Sequence, residues 1–169
     1  MGADPAAGPG GRALDLVVRP GAAADLPAVA ELYLRARAAA YPAMPRVVHA
    51  PDAVRAWVGG WDLSRREVWV AEAAGAMLGL VGFAVLEDDW LESLYVDPEA
   101  AGRGVGTMLL ELVKHERPDG FGLWVFESNQ PARRFYRRHG LVEVERTDGS
   151  GNEEGAPDIR VEWPGTRRR

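Results

Sequence analysis

Leu94-Tyr95-Val96-Asp97-Pro98-Glu99-Ala100-Ala101-Gly102-Arg103-Gly104-Val105-Gly106-Thr107 organises the reading of this chain. Branched and aromatic residues run as a strand up to Pro98, a glycine-rich turn follows, and an amphipathic helix begins. Glycines at alternate positions let the backbone reach positive φ and approach a ligand closely. The first N–H groups of the helix have no partner within it, and the helix dipole adds positive potential there. Such a turn suits a pyrophosphate, with Arg103 able to add a charge-assisted contact. A tight strand-to-helix connection would use the same glycines. Two common phosphate motifs fit less well. No Gly-Lys-Ser/Thr ending follows, as a P-loop requires, and Leu109 stands where a dinucleotide fingerprint needs its third glycine.

Outward from that turn, strands and helices alternate. Residues 14–19 read as a strand. A helix follows from Asp25, with Leu26, Val29, Ala30, Tyr33, Ala36 and Ala40 at helical spacing and Pro27 in its first turn. Residues 52–61 predict a second helix, then 67–73, 77–86 and 90–96 three strands. The helix after the glycine turn covers about 104–116, with Val105, Met108, Leu109, Leu112 and Val113 on one face. A strand at 121–126, a helix at 130–139 ended by Gly140, and strands at 141–146 and 158–163 close the chain. This order implies a mixed α/β sheet covered on both faces.

Composition sets the limits. At 169 residues one domain is expected, over residues 13–164. Residues 1–12, rich in Gly, Ala and Pro, are expected to be disordered, and 165–169 to form a basic tail. With no cysteine there is no disulfide framework, thiolate metal site or cysteine nucleophile. His49, His115 and His139 are not at metal-ligand spacing, so no metal is expected. The longest uncharged run, 73–86, is too short for a bilayer, which takes about 20 apolar residues. No secretory signal is read at the N-terminus, so the expectation is a cytoplasmic protein without membrane association. The formal net charge is −5, and −8 without Arg167, Arg168 and Arg169. An acidic body does not attract nucleic acid and suits a cationic partner such as an amine, although solubility alone accounts for it as well.

A second constellation lies downstream, Leu123-Trp124-Val125-Phe126-Glu127-Ser128-Asn129-Gln130-Pro131-Ala132-Arg133-Arg134-Phe135-Tyr136-Arg137-Arg138-His139-Gly140. Asn129 or Ser128 can cap the helix that starts there. Tyr136 lies two turns beyond Asn129 and shares its face, while Ala132 and Phe135 are expected in the core. On spacing alone, Tyr136 reads as a core aromatic with its hydroxyl at the surface.

Together the two segments resemble the GNAT superfamily of acetyl-CoA-dependent N-acetyltransferases, and the resemblance spans about residues 16–163. The family's coenzyme loop, Gln/Arg-x-x-Gly-x-Gly/Ala, falls on Ala101-Gly102-Arg103-Gly104-Val105-Gly106. Asn129 and the Ala-Arg-Arg-Phe-Tyr and His-Gly sequences also match. The resemblance implies a mostly antiparallel sheet of six to seven strands with helices on both faces. It implies that main-chain groups of Leu94, Tyr95 and Val96 hold the pantetheine arm. Gly102, Arg103, Gly104, Val105, Gly106 and Thr107 would cradle the pyrophosphate, and Asn129 would touch the coenzyme. Tyr136 would lie near the sulfur. Ala101 departs from the family's Gln/Arg, which leaves the phosphates to Arg103 and the backbone. A noncatalytic acyl-CoA-binding or regulatory module of the same fold is the alternative.

The implied reaction is direct transfer to a primary amine. An alkylammonium with a pKa near ~10.4 must lose its proton before it attacks a thioester, and a carboxylate is a suitable acceptor. Glu92 is preferred, because it shares strand parity with Trp90, Leu94 and Val96; Glu72, Glu127 and water are the alternatives. The departing thiolate calls for a donor, the role of Tyr136. No enzyme nucleophile is needed, in keeping with the absence of cysteine. Tyr33, Tyr41, His49 and Trp57 are the candidates to line the site for a small-molecule or peptide amine. Packing accounts for each of them equally well. Exposed edges of such a sheet would also allow a homodimer.

Overall fold

The computed structural model describes residues 14–74 and 79–166. Seven strands, β1 (Leu16–Pro20), β2 (Glu67–Ala73), β3 (Leu80–Glu87), β4 (Trp90–Val96), β5 (Phe121–Phe126), β6 (Val142–Arg146) and β7 (Asp158–Trp163), form one sheet. Its order is β1-β2-β3-β4-β5-β7-β6, and only the β4–β5 pair is parallel. The helices are α1 (Leu26–Ala39), α2 (Pro51–Gly59), α3 (Val105–Glu116) and α4 (Gln130–Arg138). This is the mixed, mostly antiparallel sheet with helices on both faces that the sequence led us to expect. The third strand starts at Leu80 instead of Met77; residues 77 and 78, like the 1–12 tail and 167–169, lie outside the described residues. Gly165 and Thr166, expected in a tail, are held in place: the Thr166 N–H donates to Pro118 O at 3.0 Å.

Two apolar layers fix the sheet between the helices. Central strand β3 is buried on both faces: Phe83 and Val85 meet α1 and α2, while Ala84 and Leu86 meet the α3 side. Leaving water in this way stabilises about 1.5–3 kcal/mol for a side chain the size of Phe83. From β5 and β7, Phe121, Leu123, Val125, Ile159, Val161 and Trp163 all pack towards α3 and α4. The opposite face of β5 is open, and Trp124 there is 44% exposed. Helices thus cover both faces only over the β1–β4 half.

Two irregularities prepare a site. Leu86 pairs with Leu91 and Val85 with Ser93, so Glu92 is an extra residue, a β-bulge in β4. Beyond it, β4 and β5 share a single register pair, Trp90 with Gly122. From there the two strands part.

Candidate active site

Where β4 and β5 diverge, each turns main-chain N–H and C=O groups into the gap instead of pairing them. The gap is a cavity of about 220 Å3 lined by Glu92, Ser93, Leu94 and Tyr95 on one side and by 123–126 on the other. Asn129, Ala132 and Tyr136 of α4 close one end, and Met44 reaches over from the α1–α2 connection.

The glycine turn stands at the end of β4. Asp97 closes the strand by accepting from the Glu99 N–H at 3.0 Å, and Arg35 of α1 clamps it with two bonds of 3.2 and 2.6 Å. Gly102 and Gly104 take φ of +74° and +86°, where a side chain would be strained, and nothing lies within 4 Å of either missing Cβ. Gly106 differs: a Cβ there would make ordinary van der Waals contact with the Phe135 ring, at 3.5 Å, where α3 passes α4. The first turn closed by α3 is Met108 N–H to Gly104 O at 3.0 Å. The N–H groups of Val105, Gly106 and Thr107 therefore point out of the helix end. The turn is exposed except for the half-buried Gly106 and for Val105, whose side chain is in the core, so that only its N–H is available to a ligand.

Asn129 caps α4 by accepting from the Ala132 N–H at 3.3 Å, leaving its amide NH2 on the cleft side of the helix end. Such a cap is worth ~1 kcal/mol. Ser128 does not cap; its hydroxyl donates to Ala43 O at 2.7 Å and ties the α1–α2 connection down. Tyr136 is 8% exposed and borders the cleft. Burial, and then the neighbouring Tyr95, push its hydroxyl well above the usual phenol range. Tyr95, half-buried between Tyr33 and Phe83, is pushed up to about 12, desolvation of its hydroxyl coming first. Both phenols therefore keep their protons through neutral pH.

Of the three candidate carboxylates, only Glu92 lines the cleft. Glu72 bonds Arg19 at 2.8 Å on the far side of the sheet, and Glu127 pairs with Arg146 at 2.8 Å. The parity argument for Glu92 does not hold, because the bulge breaks the alternation. Leu91, Leu94 and Val96 face the α3 side, whereas Glu92 is turned to Arg66, whose Nε donates to it at 3.1 Å. Arg66 itself lies over Trp61, in the α1–α2 layer.

Three of the four acceptor candidates come together. Tyr33, His49 and Trp57 line a cavity of about 480 Å3 with Val47, Val54 and Glu153, and the rings of Tyr33 and Trp57 meet edge to face at 6.0 Å. Tyr41 stands apart, half exposed under the Arg46 guanidinium at 4.2 Å. α1 ends at Ala39, and Tyr41 beyond it does not line this cavity.

Arg37 was missed. It is 5% exposed and donates to Tyr33 Oη at 3.0 Å, Pro45 O at 3.1 Å and Glu154 Oε1 at 3.0 Å. With the His49–Glu153 bond of 2.8 Å, it draws the β6–β7 loop against the α1–α2 connection beside the cleft. One signal was present: Arg37 continues the Leu26, Val29, Ala30, Tyr33 stripe at helical spacing, where a solvated arginine would not be expected.

The site is thus an opening between two parallel strands, with an anion-suited turn at one side and a buried tyrosine across from it. YjaB from Escherichia coli, in its apo form, has the same fold, with a TM-score of 0.70 at 21% identity, over 89% of this chain and 99% of that one. So does yncA from Salmonella typhimurium, solved with acetyl-CoA, with a TM-score of 0.68 at 21% identity over 90% and 95%. The acetyltransferase (GNAT) domain family matches residues 64–143. The peptidyl-lysine N-acetyltransferase YiaC of Escherichia coli is 30% identical over 125 residues, 74% of this chain and 82% of that protein. The chain belongs to the GNAT family of N-acetyltransferases.

Proposed function

We propose that the protein moves the acetyl group of acetyl-CoA to a primary amine by direct attack. The observation that carries this reading is the parting of β4 and β5 beside Tyr136, with the open glycine turn at the end of β4. Open main-chain groups, two glycines with free space about them and a helix N-terminus fit a long ligand ending in a pyrophosphate. The coenzyme supplies an activated thioester. Leu94, Tyr95 and Val96 hold the pantetheine arm through backbone groups, residues 102–107 take the pyrophosphate, and Asn129 offers its amide.

Glu92, directly or through a water, takes the proton of the attacking ammonium. The amine nitrogen then bonds to the carbonyl carbon, and the carbon–sulfur bond breaks. Tyr136 donates to the sulfur as it leaves, and the second proton of the nitrogen, shed as the amide forms, restores the phenol. Because burial keeps this phenol protonated, the donor is present across neutral pH. Tyr33, His49 and Trp57 receive the acceptor, with Glu153 at the mouth favouring a cation. That a relative is named as a peptidyl-lysine N-acetyltransferase supports an amine carried on a peptide. A cytoplasmic location is part of the proposal; among the described residues, no helix is long and apolar enough to cross a membrane.

The test is release of free thiol from acetyl-CoA with a panel of amines: lysine peptides, peptides with free N-termini, polyamines and amino acids. We expect lysine peptides to raise the rate at least about tenfold above hydrolysis. Binding of acetyl-CoA without amine-dependent release across the panel would overturn the reading.

A further inference from the structure

We infer that His139 is a positioning residue for the pyrophosphate turn, and that coenzyme binding draws a proton onto it. The inference rests on the coenzyme reading above and adds a relay through Thr107. His139 follows the last residue of α4, and its ring stacks on Phe135 with centroids 4.4 Å apart. Its Nδ1 lies 2.8 Å from Phe135 O. A carbonyl only accepts, so Nδ1 carries the proton of the neutral ring and Nε2 holds a lone pair. That Nε2 is 3.2 Å from Thr107 Oγ1, on the first turn of α3. With the ring neutral, Thr107 must donate to it. The hydroxyl proton is then used inwards, and lone pairs face whatever occupies the turn.

Protonation reverses this. Nε2–H now donates to Thr107 Oγ1, which frees the Thr107 hydroxyl to donate to a phosphate oxygen. The ring's positive charge also falls beside the anion. Both changes favour pyrophosphate, and neither is available to the neutral ring. The elements that carry His139 and Thr107 also carry charged residues: Lys114 and Glu111 on α3, Arg134, Arg137 and Arg138 on α4, and Arg103 on the turn. Lys114 donates to His139 O at 2.8 Å and to Glu111 at 2.9 Å. A bound anion favours the charged form of a neighbouring imidazole.

The test is calorimetric titration of 3′-dephospho-CoA at pH 7 in two buffers of different ionisation enthalpy, repeated between pH 6 and 8. The 3′-phosphate is omitted because a phosphate monoester itself titrates near pH ~6. Wild type is expected to take up a substantial fraction of one proton on binding. Its affinity should gain about threefold to tenfold from pH 8 to pH 6, as one linked imidazole allows. His139→Gln should show neither effect, and Thr107→Val, whose fold is checked by thermal melting, should cut the uptake to under half. Equal uptake in wild type and His139→Gln would overturn the inference, and undiminished uptake in Thr107→Val would overturn the relay. Failure of the wild type to bind at any pH would sink both the inference and the coenzyme reading beneath it.

Discussion

The Trp90 ring occupies the space that a Cβ on Gly122 would need, with Cε3 2.9 Å from that point. These two residues are also the single register pair joining β4 to β5. The cleft therefore begins at a contact only glycine permits. Gly122→Ala must displace the indole or the strand, and overpacking of this kind typically costs about 1–3 kcal/mol. Urea denaturation should show that loss, and KM for acetyl-CoA should rise with it as the β4 edge moves.

Tyr136→Phe removes one oxygen from a side chain otherwise held in the core. Shape is kept, so coenzyme affinity should stay within about twofold, while kcat falls about 10²-fold or more if the hydroxyl serves the leaving sulfur. Steady-state kinetics alongside direct binding separates the two effects. An unchanged kcat would remove the acid role.

Glu92→Gln should lower kcat about 10²-fold and abolish the acid limb of its pH profile, as expected on loss of a general base. Glu72→Gln and Glu127→Gln, whose carboxylates are paired away from the cleft, should leave kcat within about twofold. The pH–rate profile of each variant is the measurement.

The sequence carried the architecture well, because local signals there agree with tertiary packing. Strand residues 67–73, 90–96, 121–126 and 158–163 fall where expected, each bounded by turn residues or charges. Asn129 caps α4 as its position suggests. Errors arose where a residue's direction depends on a distant neighbour. Parity placed Glu92 on the face of Leu94, but parity assumes an unbroken ladder, and the bulge inserts one residue between Leu86 and Val85 of the partner strand. Tyr41 was expected with Tyr33, but it lies past the end of α1 at Ala39 and outside the cavity that Tyr33 lines. The Arg37–Glu154 bond joins residues 117 positions apart, a pairing that no local pattern announces.

Acid should weaken the junction of β1 and α1. Arg19 grips both oxygens of Asp25 at 2.9 and 2.8 Å, and the Ala22 N–H donates to the same carboxylate at 2.8 Å. These bonds, Arg19 first, hold the Asp25 carboxyl down at about 2. Its folded value thus lies below the unfolded one of ~3.9. The stabilisation is fully present above pH ~4 and is lost as pH falls towards ~2. Asp25→Asn should cost about 1 kcal/mol at pH 7, the worth of a part-exposed pair with one cap-like bond, and about a third of that at pH 2.5. Thermal melts at the two pH values check the difference.

Arg37 and Glu154 carry the remaining prediction. The guanidinium is almost wholly buried, Glu154's side chain is 17% exposed, and the two meet at 3.0 Å between α1 and the β6–β7 loop. Removing one member of such a pair leaves the other charge without its partner in a poorly solvated place, which costs about 3–5 kcal/mol when burial is complete. Because Glu154 retains some contact with water, Arg37→Met should cost less, about 2–3 kcal/mol. Glu154→Gln leaves the arginine with Tyr33 Oη and Pro45 O and should cost about 1–2 kcal/mol. The double variant carries neither charge, so its loss should fall short of the two single losses together by about 1–3 kcal/mol. Chemical denaturation of the four proteins closes that cycle. Additive losses would mean that the pair contributes only packing, whereas a coupled loss, accompanied by a higher KM for the amine in Glu154→Gln, would mean that the bond holds the loop over the acceptor side of the cleft.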